Sequence, residues 1–316
     1  MEITNQTSYT RFILLGLSND PRLQVFSFLV FLLMYIMTLS GNLLLILAVR
    51  VNPTLQTPMY FFLSNLSAVD IIFSSTVVPK ILINALSKDR SISLLECAVQ
   101  MYVHLAMGAC ESILLAVMAF DRYAAICRPL HYNAVMNKKL CIGFAAMAWS
   151  VGSLNSFILV IPTLSLPICR SNHIDHFFCE IPPFLQMSCG DTWANVLLIY
   201  ISAGVIVMCS FLLTLVSYCH IIYSILNIRN AQGRYKTFST CASHLSVVTV
   251  YYGAIMFMCM RPPTARSSRI DKGVPVVYTA VTPLLNPFVY SMRNKDVKET
   301  SKTFPLTDLQ NLSMLS

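Results

Sequence analysis

Residues 24–48 read QVFSFLVFLLMYIMTLSGNLLLILA, with no Asp, Glu, Lys or Arg among them. A bilayer core of about 30 Å takes roughly 20 mostly apolar residues in a helix, so this run is long enough to cross one. Six more runs follow along the 316-residue chain, at 57–84, 97–121, 140–161, 194–224, 237–260 and 273–292. The last four are equally free of charge, and the second and third carry only Asp70, Lys80, Glu111 and the terminal Asp121. Backbone groups at membrane depth must be bonded within their own segment, so these runs are helices. None shows the alternation of a membrane β-barrel strand. The fold expected is an all-α membrane protein, a seven-transmembrane helix bundle over 24–292. It is flanked by an extracellular N-terminal tail (1–23) and a cytoplasmic C-terminal tail (293–316).

Composition points the same way. The AVILMFWYC set makes up 56% of the chain, charged residues 11%, and mean hydropathy is +0.64. A soluble domain carries about 25% charged residues, so membrane lipids are the surroundings. The net charge of +8 sits in short segments between apolar runs, where it meets lipid phosphates rather than nucleic acid. No cleavable signal peptide stands out, because Phe12–Leu17 is too short for an h-region.

Orientation rests on three signals of unequal strength. With the N-terminus outside, barely more than half of the 22 Lys and Arg face the cytoplasm, and Arg261, Arg266, Arg269 and Lys272 crowd one external loop. The positive-inside rule is therefore weakly obeyed. Asn5-Gln6-Thr7 is a glycosylation acceptor, and Cys97, Cys169, Cys179 and Cys189 fall on the same outer side, where disulfides persist. The other seven cysteines read as small buried hydrophobes. No metal-ligand spacing stands out, and His173, Asp175 and His176 read as a solvated loop face.

Polar residues at membrane depth are the functional candidates, since a charge there costs roughly 2.5–3.5 kcal/mol. Asp70 and Glu111 have no basic partner. Two readings stand open: a bound cation such as sodium, or a structural cluster of protonated carboxyls hydrogen-bonded to Asn42 and Asn286. Asp121-Arg122-Tyr123 closes the third run. Pro283 and Pro287 flank Asn286, with Tyr290 one turn on; proline removes a helical hydrogen bond, which makes a polar, movable kink.

Six stretches, taken in order, resemble the rhodopsin-like G-protein-coupled receptors and, more narrowly, the class II olfactory receptors. They are Gly41-Asn42, PMYFFLSNLS from Pro58, MAFDRYAAIC from Met118 with PLHY from Pro129, Ser217-Tyr218, KTFSTCASHL from Lys236, and PLLNPFVYS from Pro283. Departures are mild: Thr237, Ala124 and Cys259 stand where the family more often has Ala, Val and Tyr.

The resemblance implies a receptor and not an enzyme, at the plasma membrane. It would bind a small, volatile, largely apolar odorant within the bundle and activate a heterotrimeric G protein of the stimulatory olfactory type, raising cyclic AMP. It places ligand contacts at His104, Leu105, Gly108, Ala109 and Ser112 on helix 3, Tyr252, Ile255 and Cys259 on helix 6, and Thr279 on helix 7. His104 or Ser112 would orient one polar group of the ligand, and Tyr252 would be the toggle. With no carboxylate expected near His104, a cationic amine ligand is disfavoured. G-protein coupling and activation fall to Asp121, Arg122, Tyr123, Asn286, Pro287 and Tyr290. Sodium at Asp70 and Glu111 would be an allosteric modulator, and no other cofactor is implied. Family resemblance ties Cys97 to the long loop; Cys97–Cys179 with Cys169–Cys189 is the preferred pairing and Cys97–Cys189 the alternative. A multispanning transporter or a non-olfactory receptor of the same superfamily remains the competing reading; a transporter usually shows repeated halves with matching broken helices, and none is seen.

Overall fold

The computed structural model describes residues 10–18, 20–169, 171–228, 230–260 and 268–291. Among them run seven long helices: α1 (Pro21–Val51), α2 (Pro58–Leu86), α3 (Leu94–Cys127), α4 (Lys138–Leu164), α5 (Trp193–Leu226), α6 (Ala231–Met260) and α7 (268–291). The first five are each long and apolar enough to span a bilayer. The sixth joins them when its arms, Ala231–Ser239 and His244–Met258, are counted as one span bent by 45°. The chain is a multi-pass helical membrane protein.

Local chemistry sets the helix ends. Asp20 caps α1 through the Arg22 amide at 2.9 Å, with Pro21 in the first turn, and Pro53 follows its C-cap. Ser93 and Glu96 form a reciprocal capping box at the start of α3, which satisfies two otherwise orphaned donors. Asn137 caps α4 through Leu140 at 3.0 Å.

The third helix is the axis of the bundle: most of its apolar stretch is buried, whereas that of α5 is almost wholly open to the surroundings. Large side chains such as Phe26, Leu33, Leu154 and Leu213 point outward, as lipid contact requires. Cys209 and Cys219 are exposed too, while Cys110, Cys141 and Cys241 are buried. The expectation of uniformly buried thiols is thus corrected; a small apolar group is equally at home against lipid.

One end of the bundle carries a lid. The segment expected as a plain tail forms strand β1 (Arg11–Leu14), antiparallel to β2 (Ser91–Ser93) and parallel to β3 (His173–Ile174). Phe12 and Leu14 are fully buried beneath it, with Ile92, Ile174 and Phe184. Gly16, at φ 74°, turns the chain from the lid into α1, a conformation open to glycine. Disulfides Cys97–Cys179 and Cys169–Cys189 fasten the 165–192 loop at this end. Asn5 and Tyr290's side chain lie outside the described residues.

Close packing of α4 on α3 needs Gly152, whose Cβ would sit 2.5 Å from the Ala106 carbonyl oxygen. The neighbour is backbone and cannot swing aside. Gly152→Val is expected to destabilise the bundle by about 1–3 kcal/mol. Thermal unfolding of the purified protein measures this, and an unchanged midpoint would contradict the packing.

Candidate functional site

Beneath the lid lies a cavity of about 380 Å³, within the range of small-molecule sites. Its wall is mostly apolar. His104, Leu105, Gly108, Ala109 and Ser112 all line it, because positions 104, 108 and 112 stack on one face of α3. From α6 come Ile255 and Tyr251. Tyr252, named from the sequence, is not on the wall: it is 1% exposed and packs edge-on against Tyr251 and Phe211. Thr279 is also sealed, its hydroxyl donating to the Pro275 carbonyl at 2.6 Å, and the Cys259 side chain lies outside the described residues.

Other wall residues were missed in the sequence. Two π-turns, Gly204–Met208 in α5 and Val277–Val281 in α7, shift the phase of these helices beside the cavity. Ile206, Val207 and Tyr278 thereby reach it. Such turns collect at functional sites, but nothing in local composition marks them.

Three hydrogen bonds join α3 to α6 at this depth. Tyr251 donates to the Gly108 carbonyl at 2.6 Å and shares a 2.9 Å contact with Ser112 Oγ, and Tyr252 donates to the Ser112 carbonyl at 3.0 Å. Ser112 Oγ also lies 2.9 Å from the Gly108 carbonyl, so its single hydrogen goes either there or to Tyr251. Its one donor is therefore spent within the protein.

The loop supplies what the sequence argued against, a carboxylate beside His104. Glu180 lines the cavity, pairs with His176 Nε2 at 2.9 Å and accepts from Tyr278 at 3.5 Å. His176 is 3% exposed, so the solvated loop face is corrected at this residue, whereas His173 and Asp175 are exposed. At the rim, Lys272 bonds the Gly16 carbonyl at 3.0 Å and Asp175 at 2.6 Å, clasping α7 to the lid and loop.

Below the cavity, Asn286 Nδ2 donates to Asp70 Oδ2 at 2.8 Å. Asn42 does not reach that carboxylate; its amide donates to Thr38 and Pro283 carbonyls at 2.9 and 3.1 Å. Gly41 lets α1 approach Pro287, whose ring would stand 3.0 Å from any Cβ at that position. Glu111 lies within reach of both Asp70 and Asn286.

At the opposite end, Arg122 Nη2 lies 3.3 Å from Asp121 Oδ2, and Asp121 Oδ1 accepts from Tyr132 at 2.7 Å. Burial, and then this bond, hold the Tyr132 hydroxyl above its usual range, so it stays a donor. The Tyr123 ring packs tilted against His220, and Tyr218 bonds His244 of α6 at 2.7 Å.

Burial alone would raise the Glu180 carboxyl. The charge and hydrogen bond of His176, with His104 and Tyr278 behind, outweigh it and hold the group below its ordinary 4.5. A depressed carboxyl stabilises the fold fully above its unfolded value, and that contribution is lost as pH falls through the folded one. Melting of the detergent-purified protein between about pH 3 and 7 is expected to show that loss on the acid side, and Glu180→Gln to flatten it. An equally steep profile in the variant would contradict the ion pair.

The sequence-family profile described as "Olfactory receptor" matches residues 31–306. Human "Olfactory receptor 2G6" is 46% identical over 306 residues, covering 97% of each chain. The dog "Olfactory receptor-like protein OLF1" is 46% identical over 94% of this chain and 96% of its own, and mouse "Olfactory receptor 5G9" 47% over 93% and 94%. All three are named as receptors and none as an enzyme. With a bundle, a lidded cavity and relatives that match nearly end to end, the chain belongs to the olfactory receptor family.

Proposed function

We propose that this odorant-sensing receptor holds a small, volatile, largely apolar molecule in the cavity under the lid and activates a stimulatory olfactory-type G protein, raising cyclic AMP. One observation carries the reading: Tyr251 and Ser112 both line the cavity and both belong to the α3–α6 hydrogen bonds. A ligand that presses on Tyr251 acts on those bonds directly, and α6 continues to His244 and the Arg122 end. Binding then favours a conformation in which Asp121 and Arg122 open to the G protein, a population shift set by differential affinity. In this account Tyr251 senses the ligand and Tyr252 relays it. Asn286 and Pro287 form the α7 hinge, with Tyr290 beyond it.

The N-terminus is outside, because both disulfides gather at the lid end and persist in an oxidising compartment. Residues 1–23 then form the extracellular segment, glycosylated at Asn5, and 293–316 the cytoplasmic tail. The receptor sits in plasma-membrane lipid and does not engage nucleic acid. Arg122→Ala is expected to abolish the cyclic AMP response to agonist while surface expression persists. A well-expressed, fully responsive variant would sink the coupling assignment, and a ligand that is transported without nucleotide exchange would favour a transporter.

A second reading concerns the buried carboxylates. Glu111 Oε1, Ser67 Oγ, Asn42 Oδ1 and Asn286 Oδ1 are buried without partners among the described residues. A set of hard oxygens of this kind suits a small cation, so these residues fit sodium, with Asp70 and Glu111 supplying the charge. A bound ion would tie α2 and α3 to the α7 hinge. Sodium chloride is expected to raise the melting temperature of the parent more than choline chloride does, and Asp70→Asn to remove the difference. An unchanged sodium dependence in Asp70→Asn would leave the cluster purely structural.

A further inference from the structure

Ser112 and His104 compete, from sequence, for the task of orienting a ligand's polar group. Ser112 is already occupied by Gly108 and Tyr251. His104 is different. Its ring is packed among Phe73, Phe178 and Tyr278, with centroids 5.4–5.6 Å away. Its Nδ1 is sealed from solvent and has no partner among the described residues. The residue lines the cavity and is partly exposed to it, and among the described residues no hydrogen bond reaches either ring nitrogen. Nε2 is therefore the nitrogen that addresses the cavity.

The sealed nitrogen decides the tautomer. A neutral imidazole carries one N–H and one lone pair, and a buried, unpaired N–H is rarer and more costly than a buried, unpaired acceptor. The lone pair belongs on Nδ1 and the proton on Nε2, which faces the cavity as a donor. Charge narrows the class further. The Glu180 carboxylate is close enough to act electrostatically on His104, so an anionic ligand meets a like charge. Glu180 already bonds His176 and Tyr278, so an ammonium group would have to compete with both for it.

From this geometry we propose that the receptor's ligands are neutral carbonyl odorants (aldehydes, ketones or esters) whose oxygen accepts from His104 Nε2 at the lid side of the cavity, with the apolar chain directed toward Tyr251 and Val207. An alcohol can accept the same bond but brings an O–H of its own to satisfy. This deepens the odorant reading and rests on it.

The test uses cells expressing the full receptor, epitope-tagged for surface level, with a cyclic AMP reporter. The probes are volatile aldehydes, ketones and methyl esters of graded chain length, each beside its matched alkane, alcohol, amine and carboxylic acid. Carbonyl members are expected to be more potent than their matched alkanes by about tenfold, one hydrogen bond's worth. His104→Phe, which keeps a ring among Phe73, Phe178 and Tyr278, removes that advantage. His104→Gln, which keeps a donor, restores part of it. A carbonyl advantage that survives in a surface-expressed His104→Phe receptor overturns the proposal. Silence to all carbonyl members, with a response to another class, overturns it while leaving the odorant reading intact. Silence to every class from a receptor at the surface overturns the odorant reading itself.

Discussion

The Cys97–Cys179 bond closes a separation of 82 residues and decides what faces the cavity. Cys97 lies in the first turn of α3, the most enclosed helix, and Gln100 one turn on repeats the attachment by accepting from the Cys179 amide at 3.0 Å. The same glutamine side chain donates to the Thr76 carbonyl of α2 at 3.2 Å. With Cys179 held at two points, His176 three residues before it and Glu180 directly after it are carried to the mouth of the cavity. Phe178, fully buried between them, comes to rest against His104. The lid strand depends on this arrangement too, since β3 leaves the loop only a few residues earlier and the Gly16 amide donates to the His176 carbonyl at 3.1 Å.

The bilayer imposes a second discipline, that polar groups be satisfied inside the protein. Most of the hydroxyls comply locally: Ser74, Thr76, Thr214 and Ser217 each donate to the carbonyl four residues back, a bond that needs no neighbour. Setting these aside isolates the polar groups that ask for something else. They are the Asp70–Glu111–Asn286 cluster, the Arg122–Asp121–Tyr132 group and His104. Each lies at a different depth along α3, at the proposed hinge, the proposed coupling end and the cavity. The α3–α6 bonds of Tyr251 and Tyr252 fall at Gly108 and Ser112, one and two turns on from His104.

Much of the bundle was legible. The run at 24–48 became Pro21–Val51, and 97–121 became Leu94–Cys127; the extra turns come from capping residues such as Asp20, Ser93 and Glu96, which are polar and so fall outside an apolar count. The α3 wall was legible because five positions at helical spacing need only one phase. The rest was not. A four-residue strand such as Arg11–Leu14 gives too few alternations to detect, and it forms only because β2 and β3 arrive on either side. Tyr251 and Tyr252 are adjacent and chemically alike, and the wall position falls to Tyr251 in a helix bent by 45°. Glu180 reaches His104 through a disulfide, a contact that no local pattern encodes.

In the proposed mechanism, occupancy of this one cavity switches the far end of the bundle. Gly108 offers the most direct access to it, because a Cβ there meets nothing within 4 Å and a larger side chain grows into the cavity instead of the packing. The decisive measurement is agonist-stimulated nucleotide exchange on a purified stimulatory G protein by the reconstituted receptor, wild type beside Gly108→Leu. The variant is expected to fold and keep its basal exchange but to lose stimulation by agonist. Undiminished stimulation in Gly108→Leu would place the ligand outside this cavity.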